Sequence, residues 1–318
     1  MSRTVTVEWA AADSCITMLG ATTPVFQGEG SRILKLAALL RALAGGLALM
    51  AAPPLMAVDA PQTVHWAFSS YFGTGWYQVD DSRSVFVFRI PPRWTVRRSA
   101  WEDGQRKLGI EIHFPATIGL HNLDFADAPG NIAADNFGTF SFTPGIELEI
   151  PLNERWALRP YVKAGWGKEF ELNETAWIWE TGIKSRYAFQ TERLDWGLIA
   201  SIQWAGYDQS AGDRDDTGSI LLGVEARQPL RSLRLGRHWD LHWHAAYTFL
   251  ESPLRFQQTQ TDFIVIDDLF EVGLAVSLRE GPFDFWFWKP DRLGLGIKFS
   301  PDGNFSALTF TSRSWFTK

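Results

Sequence analysis

One-by-one alternation of apolar and polar residues is the feature that most constrains this chain, and it recurs from Val64 to the C-terminal end. A period of two residues indicates a β-strand whose two faces meet different surroundings. No stretch in this part of the chain keeps the period of a helix over three turns. Twelve alternating segments can be counted, at about 64–78, 84–98, 106–120, 138–150, 156–167, 175–189, 194–206, 218–228, 239–250, 263–278, 283–299 and 304–316. The sequence therefore predicts an all-β fold of about twelve strands.

The two faces of these segments suit two different solvents. In segment 156–167, Leu158, Val162 and Trp166 lie on one face, while Arg159 and Lys163 lie on the other. About nine to eleven residues of tilted strand cross a bilayer, and lipid cannot satisfy an open sheet edge. Short connections such as "PLNER" and "QTER" alternate with longer polar ones such as "KEFELNE" and "YDQSAGDRDDTG". We therefore predict a transmembrane antiparallel up-and-down β-barrel.

Composition removes several other classes of protein. The mean hydropathy of −0.11 is too polar for a bundle of membrane helices. The net charge of −6 gives no electrostatic case for nucleic-acid binding. Cys15 is the single cysteine of the 318 residues, so a chain processed after this position has no disulfide and no thiolate zinc site. We expect no cofactor.

The segment Leu34 to Ala60 has the pattern of a secretory signal peptide. Lys35 and Arg41 precede an apolar run, which small residues and prolines follow. Residues 1–33 are then either an upstream extension from a misplaced start codon or a genuine long leader. The predicted organisation is 1–33, signal peptide 34–60 and barrel 61–318. Export would place the barrel in the outer membrane of a Gram-negative cell.

The polar faces of three neighbouring strands carry charges of both signs. These residues are Glu147, Glu149, Arg159, Lys163, Glu180, Lys184 and Arg186. Since adjacent strands lie about 5 Å apart, opposite charges on them can pair as a ladder across the lumen wall. Two readings stay open at this point: the ladder fills and rigidifies a narrow barrel, or it lines a small pore and sets its selectivity.

Asp240, His242 and His244 form a second polar group on one face of segment 239–250. Two histidines two positions apart on a strand could ligate one metal ion, and a carboxylate could orient one of them. No serine in a recognisable nucleophile context stands beside them in the sequence. We therefore interpret them as polar filling of the lumen and assign no catalytic, metal or cofactor site.

Three stretches resemble the solitary outer-membrane autotransporter-like β-barrel family: "TFSFTPGIELEIPLNERWALRPYVKAGWG" (139–167), "ETGIKSRYAF" (180–189) and "LHWHAAYTF" (241–249). The resemblance implies a twelve-stranded translocator-type barrel standing alone, and it supplies no catalytic residues. Here only a few residues separate the expected cleavage site from the first strand. We therefore expect neither a passenger nor a helix that would plug the lumen. The aromatic Phe316 near the C-terminus is typical of the strand that the barrel-assembly machinery reads.

These features predict a non-enzymatic barrel in contact with outer-membrane lipid, acting as a narrow porin-like pore or as a structural component. Two alternatives remain: an outer-membrane enzyme that hydrolyses lipid or peptide, and a translocator for a separate chain.

Overall fold

The structure, a computed structural model, describes residues 70–79, 83–121, 137–170, 173–210, 214–230, 237–257, 263–285 and 289–313. The predicted upstream extension, the signal peptide and Phe316 lie outside these residues. The strands are β1 (Gly75–Val79), β2 (Arg83–Ile90), β3 (Arg93–Arg97), β4 (Ala100–Glu102), β5 (Gln105–Lys107), β6 (Gly109–His113), β7 (Ala116–His121), β8 (Phe137–Phe142), β9 (Gly145–Pro151), β10 (Trp156–Glu169), β11 (Thr175–Gln190), β12 (Asp195–Gln209), β13 (Arg214–Leu230), β14 (Trp239–Gln257), β15 (Phe263–Leu278), β16 (Leu293–Phe299) and β17 (Phe305–Thr311). Within them, no helix is long and apolar enough to span a membrane.

Fifteen of the strands form one antiparallel sheet that closes on itself, because β10 pairs with β11 as well as with β8 and β9. Three long strands are each interrupted once, so β2 continues as β3, β7 follows β6, and β9 follows β8. Counting each interrupted strand once gives a twelve-stranded closed barrel. The predicted fold class is confirmed. Strands β4 and β5 form a separate hairpin.

The three interruptions lie side by side in the wall, and each contains proline. The N–H of Phe114 donates to the carbonyl oxygen of Pro92, that of Thr143 to Pro115, and that of Ala164 to Pro144. Proline has no N–H and breaks a strand ladder. The cross-strand register is the same on both sides of the break, so each strand resumes its pairing with the same neighbour after the proline.

Two ends of the barrel are named here for reference. The lower end carries the turns at 152–155 and 191–194, and the upper end carries the connections after β10 and β12. The connections at 170–174 and 210–213 are short, because β10 to β13 extend through most of the residues that the sequence suggested as long loops. Above the apolar band, polar residues remain part of these strands because the backbone hydrogen bonds between neighbouring strands continue there.

The outward face is an uncharged apolar band. No outward residue is charged between Trp156 and Trp166, or between Trp177 and Phe189. Ile202 on β12 is 67% exposed, and large apolar side chains on the neighbouring strands are also exposed. The outward members on β10 to β16 include Val162, Trp166, Trp177, Ile183, Leu198, Ile202, Leu222, Val272, Leu274 and Ile297. Such a surface is unfavourable in water and suits hydrocarbon.

The upper part of the lumen is filled by an apolar cluster. It consists of Phe72, Tyr77, Val79, Val85, Val87, Leu250, Leu254, Ile266, Leu269, Phe305 and Ala307, with Tyr71 packed against it. Phe72 is 0% exposed, and its ring lies 4.8 Å from that of Tyr77 and 5.5 Å from that of Phe305. The Tyr71 hydroxyl donates to the Thr217 carbonyl oxygen at 2.6 Å, on a different part of the wall. Tyr71 and Phe72, just before β1, therefore lie inside the lumen.

This placement corrects two expectations. The first strand was predicted over 64–78, but it begins at Gly75, and residues 70 and 71 are helical. Residues 64–69 lie outside the described residues. The lumen was predicted to have no plugging segment, yet Tyr71 and Phe72 occupy it. The inward residues that pack around Phe72 are apolar, so they exclude water and are stabilised by aromatic partners.

The eleventh strand also begins later than predicted, at Leu293 instead of residue 283. The predicted first part of this strand, which contains Phe283, Asp284 and Phe285, lies before β16. Phe283 stacks on Phe285 and contacts Trp239, so this segment packs at the lower end of the barrel.

Candidate functional site

All seven residues of the predicted charge ladder lie on inward positions of β9, β10 and β11. The strand register explains their proximity, since Arg159 lies opposite Lys184 and Lys163 lies opposite Glu180. On the other side of β10, Tyr161 lies opposite Glu147. The name charge ladder is kept for the seven residues Glu147, Glu149, Arg159, Lys163, Glu180, Lys184 and Arg186.

Five members of the charge ladder form one connected network. Arg159 Nη2 donates to Glu149 Oε2 at 2.6 Å, and Arg159 Nη1 lies 3.6 Å from Glu147 Oε1. Lys184 Nζ donates to Glu147 Oε2 at 2.9 Å, and Arg186 Nη2 donates to Glu149 Oε1 at 3.4 Å. Each carboxylate is therefore shared by two cations, and each pair of cations comes from two different strands.

The other two members, Lys163 and Glu180, form a separate buried pair. Lys163 Nζ donates to both carboxylate oxygens of Glu180, at 3.0 and 3.1 Å. Tyr161 joins this pair to the network, because the ammonium groups of Lys163 and Lys184 lie 4.7 and 4.4 Å from its ring centroid. Cations at this distance are attracted by the electron-rich face of the ring.

A group that adjoins the charge ladder at Glu147 has the composition of a metal site. The ligand atoms of Glu111, His113 and Glu147 all lie within 4.8 Å of one another. However, Arg93 contacts Glu111 at 3.4 Å, and Lys184 already binds Glu147. These cations balance the two carboxylates, so the charge of the group does not require a divalent ion.

The second predicted group divides among different partners. Asp240, His242 and His244 all face inward on β14. Asp240 Oδ1 accepts a hydrogen bond from Arg279 Nε at 2.7 Å. His244 Nε2 lies 3.6 Å from Glu271 Oε1. A Cβ atom at Gly273 would lie 2.4 Å from the His244 ring, so this glycine makes room for the histidine. The side chains do not converge on one point where a metal ion could sit.

His242 belongs to a cluster that the sequence interpretation missed. Its Nδ1 lies 2.7 Å from Glu225 Oε1, and its Nε2 lies 2.8 Å from Ser277 Oγ. Arg292 Nη1 lies 2.6 Å from the same Glu225 oxygen. All four side chains are buried in the lumen wall. The sequence shows no serine in a recognisable nucleophile context next to His242, but the fold brings Ser277 beside it in space.

No local sequence signal identifies this cluster. Its members come from β13, β14, β15 and the residue before β16. The pairing of Arg227 with His242, and of Asp240 with Ser277, brings them together. The alternation indicates that Glu225, His242 and Ser277 all face inward. It does not indicate the register between the strands, which places the three residues at the same height.

Comparison with known proteins finds distant structural neighbours. No family model and no curated protein matches the chain. Among solved structures, the beta domain of the Bordetella autotransporter BrkA matches at 10% identity and a TM-score of 0.45, covering 74% of this chain and 91% of that one. LpxR from Salmonella typhimurium matches at 10% identity and a TM-score of 0.37, covering 72% of this chain and 88% of that one. Both TM-scores lie below 0.5, so the assignment of a twelve-stranded closed barrel rests on the strand pairing itself.

Proposed function

We propose that this protein is an integral outer-membrane barrel whose filled lumen makes it a structural component of the membrane and not an open pore. The observation that carries the proposal is the burial of inward side chains at two levels. Phe72 closes the apolar cluster above, and the ion-paired carboxylates Glu147, Glu149 and Glu180 are buried below it. A conducting lumen is instead lined by hydrated polar groups.

The exterior supports the membrane part of the proposal. Trp156 and Trp166 lie at the two edges of the apolar band on β10, ten positions apart, which is about one bilayer crossing for a tilted strand. Tryptophan is enriched at both membrane interfaces. Export through the signal peptide 34–60, and location in the outer membrane of a Gram-negative cell, follow from the sequence and remain part of the proposal.

The same packing argues against a translocator. A passing chain would have to displace Tyr71 and Phe72 and also separate the Lys163–Glu180 pair. Breaking a buried pair leaves each charge without its partner, at a cost of about 3–5 kcal/mol. Recognition by the barrel-assembly machinery through the strand ending at Phe316 remains a prediction.

Single-channel recording in planar lipid bilayers tests this proposal. The wild-type barrel is expected to insert without discrete conductance steps. A variant with Tyr71→Gly and Phe72→Gly is expected to conduct more, because it empties the upper lumen. The matched control is Phe88→Ala, which removes a half-exposed outward phenyl ring and should leave the recording unchanged.

Stable conductance steps in the wild type would overturn the proposal in favour of a pore. In that case neutralising the cations with Arg159→Gln and Lys163→Gln would shift the ratio of cation to anion permeability. Loss of stability in these variants without any conductance would agree with a filled lumen.

A further inference from the structure

Glu225, His242 and Ser277 have the geometry of a nucleophile, a base and an orienting carboxylate. The two distances, 2.7 Å from Glu225 Oε1 to His242 Nδ1 and 2.8 Å from His242 Nε2 to Ser277 Oγ, are within direct hydrogen-bonding reach. Arrangements of this kind on unrelated folds activate serine for attack on acyl groups. They are recognised by geometry and roles and not by sequence order.

The neighbouring charges determine which ring nitrogen of His242 carries the proton. Arg292 lies 2.6 Å from Glu225 Oε1 and keeps this carboxylate ionised. An ionised carboxylate only accepts hydrogen bonds, so His242 carries its proton on Nδ1. Its Nε2 is then left to accept the hydroxyl proton of Ser277. This is the protonation state that a general base requires.

The strands place this serine just inside the lower end of the barrel. Ser277 is the penultimate residue of β15, and Arg279, two residues later, is exposed over nearly half of its side chain. Leu293 pairs with Val276, so Arg292 and Ser277 are the next residues along their two strands. Arg292 thus precedes the strand next to the one that carries the serine, and a guanidinium group in that place is suited to stabilise negative charge on an attacked carbonyl oxygen.

We propose that Ser277 is the nucleophile of an acyl-transfer site in the lower lumen, with His242 as general base, Glu225 as its positioning residue and Arg292 as the oxyanion stabiliser. Ser277 Oγ attacks the carbonyl carbon of an ester while its proton passes to His242 Nε2. The ester C–O bond breaks, and His242 returns the proton to the leaving alcohol. Water, deprotonated by His242, then releases the acid and restores the serine.

The position of the site defines the class of substrate. The apolar cluster fills the lumen above, so a substrate enters from the lower end. Ser277 is 7% exposed, which admits a small acyl ester and not a folded protein. This inference does not depend on the absence of conductance, because Ser277 lies close to the lower end of the barrel and is approached from there whether or not the lumen conducts.

A small dialkyl fluorophosphonate, which phosphorylates activated serines, is the direct probe. The purified full-length mature barrel in detergent is incubated with the probe, and the modified peptide is identified by mass spectrometry. The expected result is labelling of Ser277 to near one equivalent. His242→Gln should lower the labelling rate about 100-fold or more, as expected for loss of a general base.

Two variants separate activation from simple reactivity. Ser277→Ala removes one hydroxyl and should abolish labelling, whereas Ser141→Ala removes another buried lumenal hydroxyl and should leave it unchanged. Folding of each variant is checked by its heat-dependent mobility on a detergent gel. No labelling of folded wild-type barrel, labelling at another residue, or an undiminished rate in folded His242→Gln would each overturn the proposal.

The role of Glu225 needs its own measurement. Glu225→Gln should lower the labelling rate and change its pH dependence, while Glu225→Asp should restore part of both. A stability loss with an unchanged pH profile would show that Glu225 only balances Arg292 and would remove it from the site.

Discussion

The apolar cluster and the charge ladder close the same lumen by different physical means. Around Phe72, apolar side chains exclude water and pack without directional bonds. In the charge ladder, each carboxylate is held by cations at distances of 2.6 to 3.6 Å. The apolar cluster takes its central side chain from outside the strands, whereas the ladder uses only cross-strand neighbours.

Because of this difference, the free-energy cost of a substitution is expected to differ between the apolar cluster and the charge ladder. Removing part of an apolar cluster leaves a cavity, and the cost grows with its volume. Removing one partner of a buried ion pair leaves a charge without solvent or counter-ion, which costs more. Replacing both partners can be nearly neutral. The two regions can therefore be distinguished by single and double substitutions.

The largest effect is expected from Glu180→Gln. Lys163 would remain buried without its counter-ion, and the free energy of unfolding should fall by about 3–5 kcal/mol. The double variant Lys163→Met with Glu180→Gln should recover most of this loss. Both are measured by urea unfolding in lipid vesicles with tryptophan fluorescence. A loss below about 1 kcal/mol in the single variant would indicate a hydrated pair and erase the contrast with the apolar cluster.

The next effect is expected from Phe72→Ala in the apolar cluster. It removes a fully buried ring that stacks on Phe305, and should cost about 3 kcal/mol in the same unfolding assay. Phe88→Ala, on the lipid-facing side of β2, is the matched control and should cost clearly less. Equal losses would mean that Phe72 contributes no more than a lipid-exposed ring.

A smaller effect is expected for the rim pair of Asp195 and Arg227. Arg227 donates to Asp195 Oδ2 from Nε at 3.0 Å and from Nη2 at 2.6 Å, but both side chains are partly exposed. Asp195→Asn should therefore cost at most about 1 kcal/mol, with less effect at high salt. A cost as large as that of Glu180→Gln would show that burial is not what separates the two pairs.

The smallest effect is expected outside the barrel wall, at Glu280. The backbone N–H and the ring of His238 donate to its carboxylate and lower its pKa to about 2. Because this pKa lies below the unfolded value of about 4.3, the added stability is complete above that value and is lost as pH falls through about 2. Carboxyl chemical shifts followed by NMR should show this titration. His238→Ala should raise the pKa part of the way, and no change would exclude a role for the ring.

The alternation predicted the strands whose two faces differ most in chemistry. The segment 263–278 has the same bounds as β15, and 175–189 differs from β11 by one residue. Alternation failed at Phe283 and Phe285, where Asp284 between them keeps the pattern of a strand although the segment lies before β16. It also failed before Gly75, because the pattern of a lipid-facing strand is equally satisfied by aromatic residues inside an apolar lumen.

Sequence reasoning reached the charge ladder because its members stand on consecutive strands joined by a short turn. It did not reach the cluster of Glu225, His242 and Ser277, which also stand on consecutive strands, because one carboxylate and one serine on inward faces form no distinctive charge pattern in the sequence. A slip of one residue in one pairing would turn Ser277 toward the lipid. Three residues of ordinary type thus become a candidate site only through the pairing of β13, β14 and β15.

The aligned breaks at Pro92, Pro115 and Pro144 give this wall a mechanical property. Three neighbouring strands lack an N–H donor at the same height, so that row of the ladder resists bending less than the rows above and below it. The N–H groups of Phe114, Thr143 and Ala164 supply cross-strand bonds that remain at this height. A change in bilayer thickness would therefore load this line of the wall before the rows above and below it.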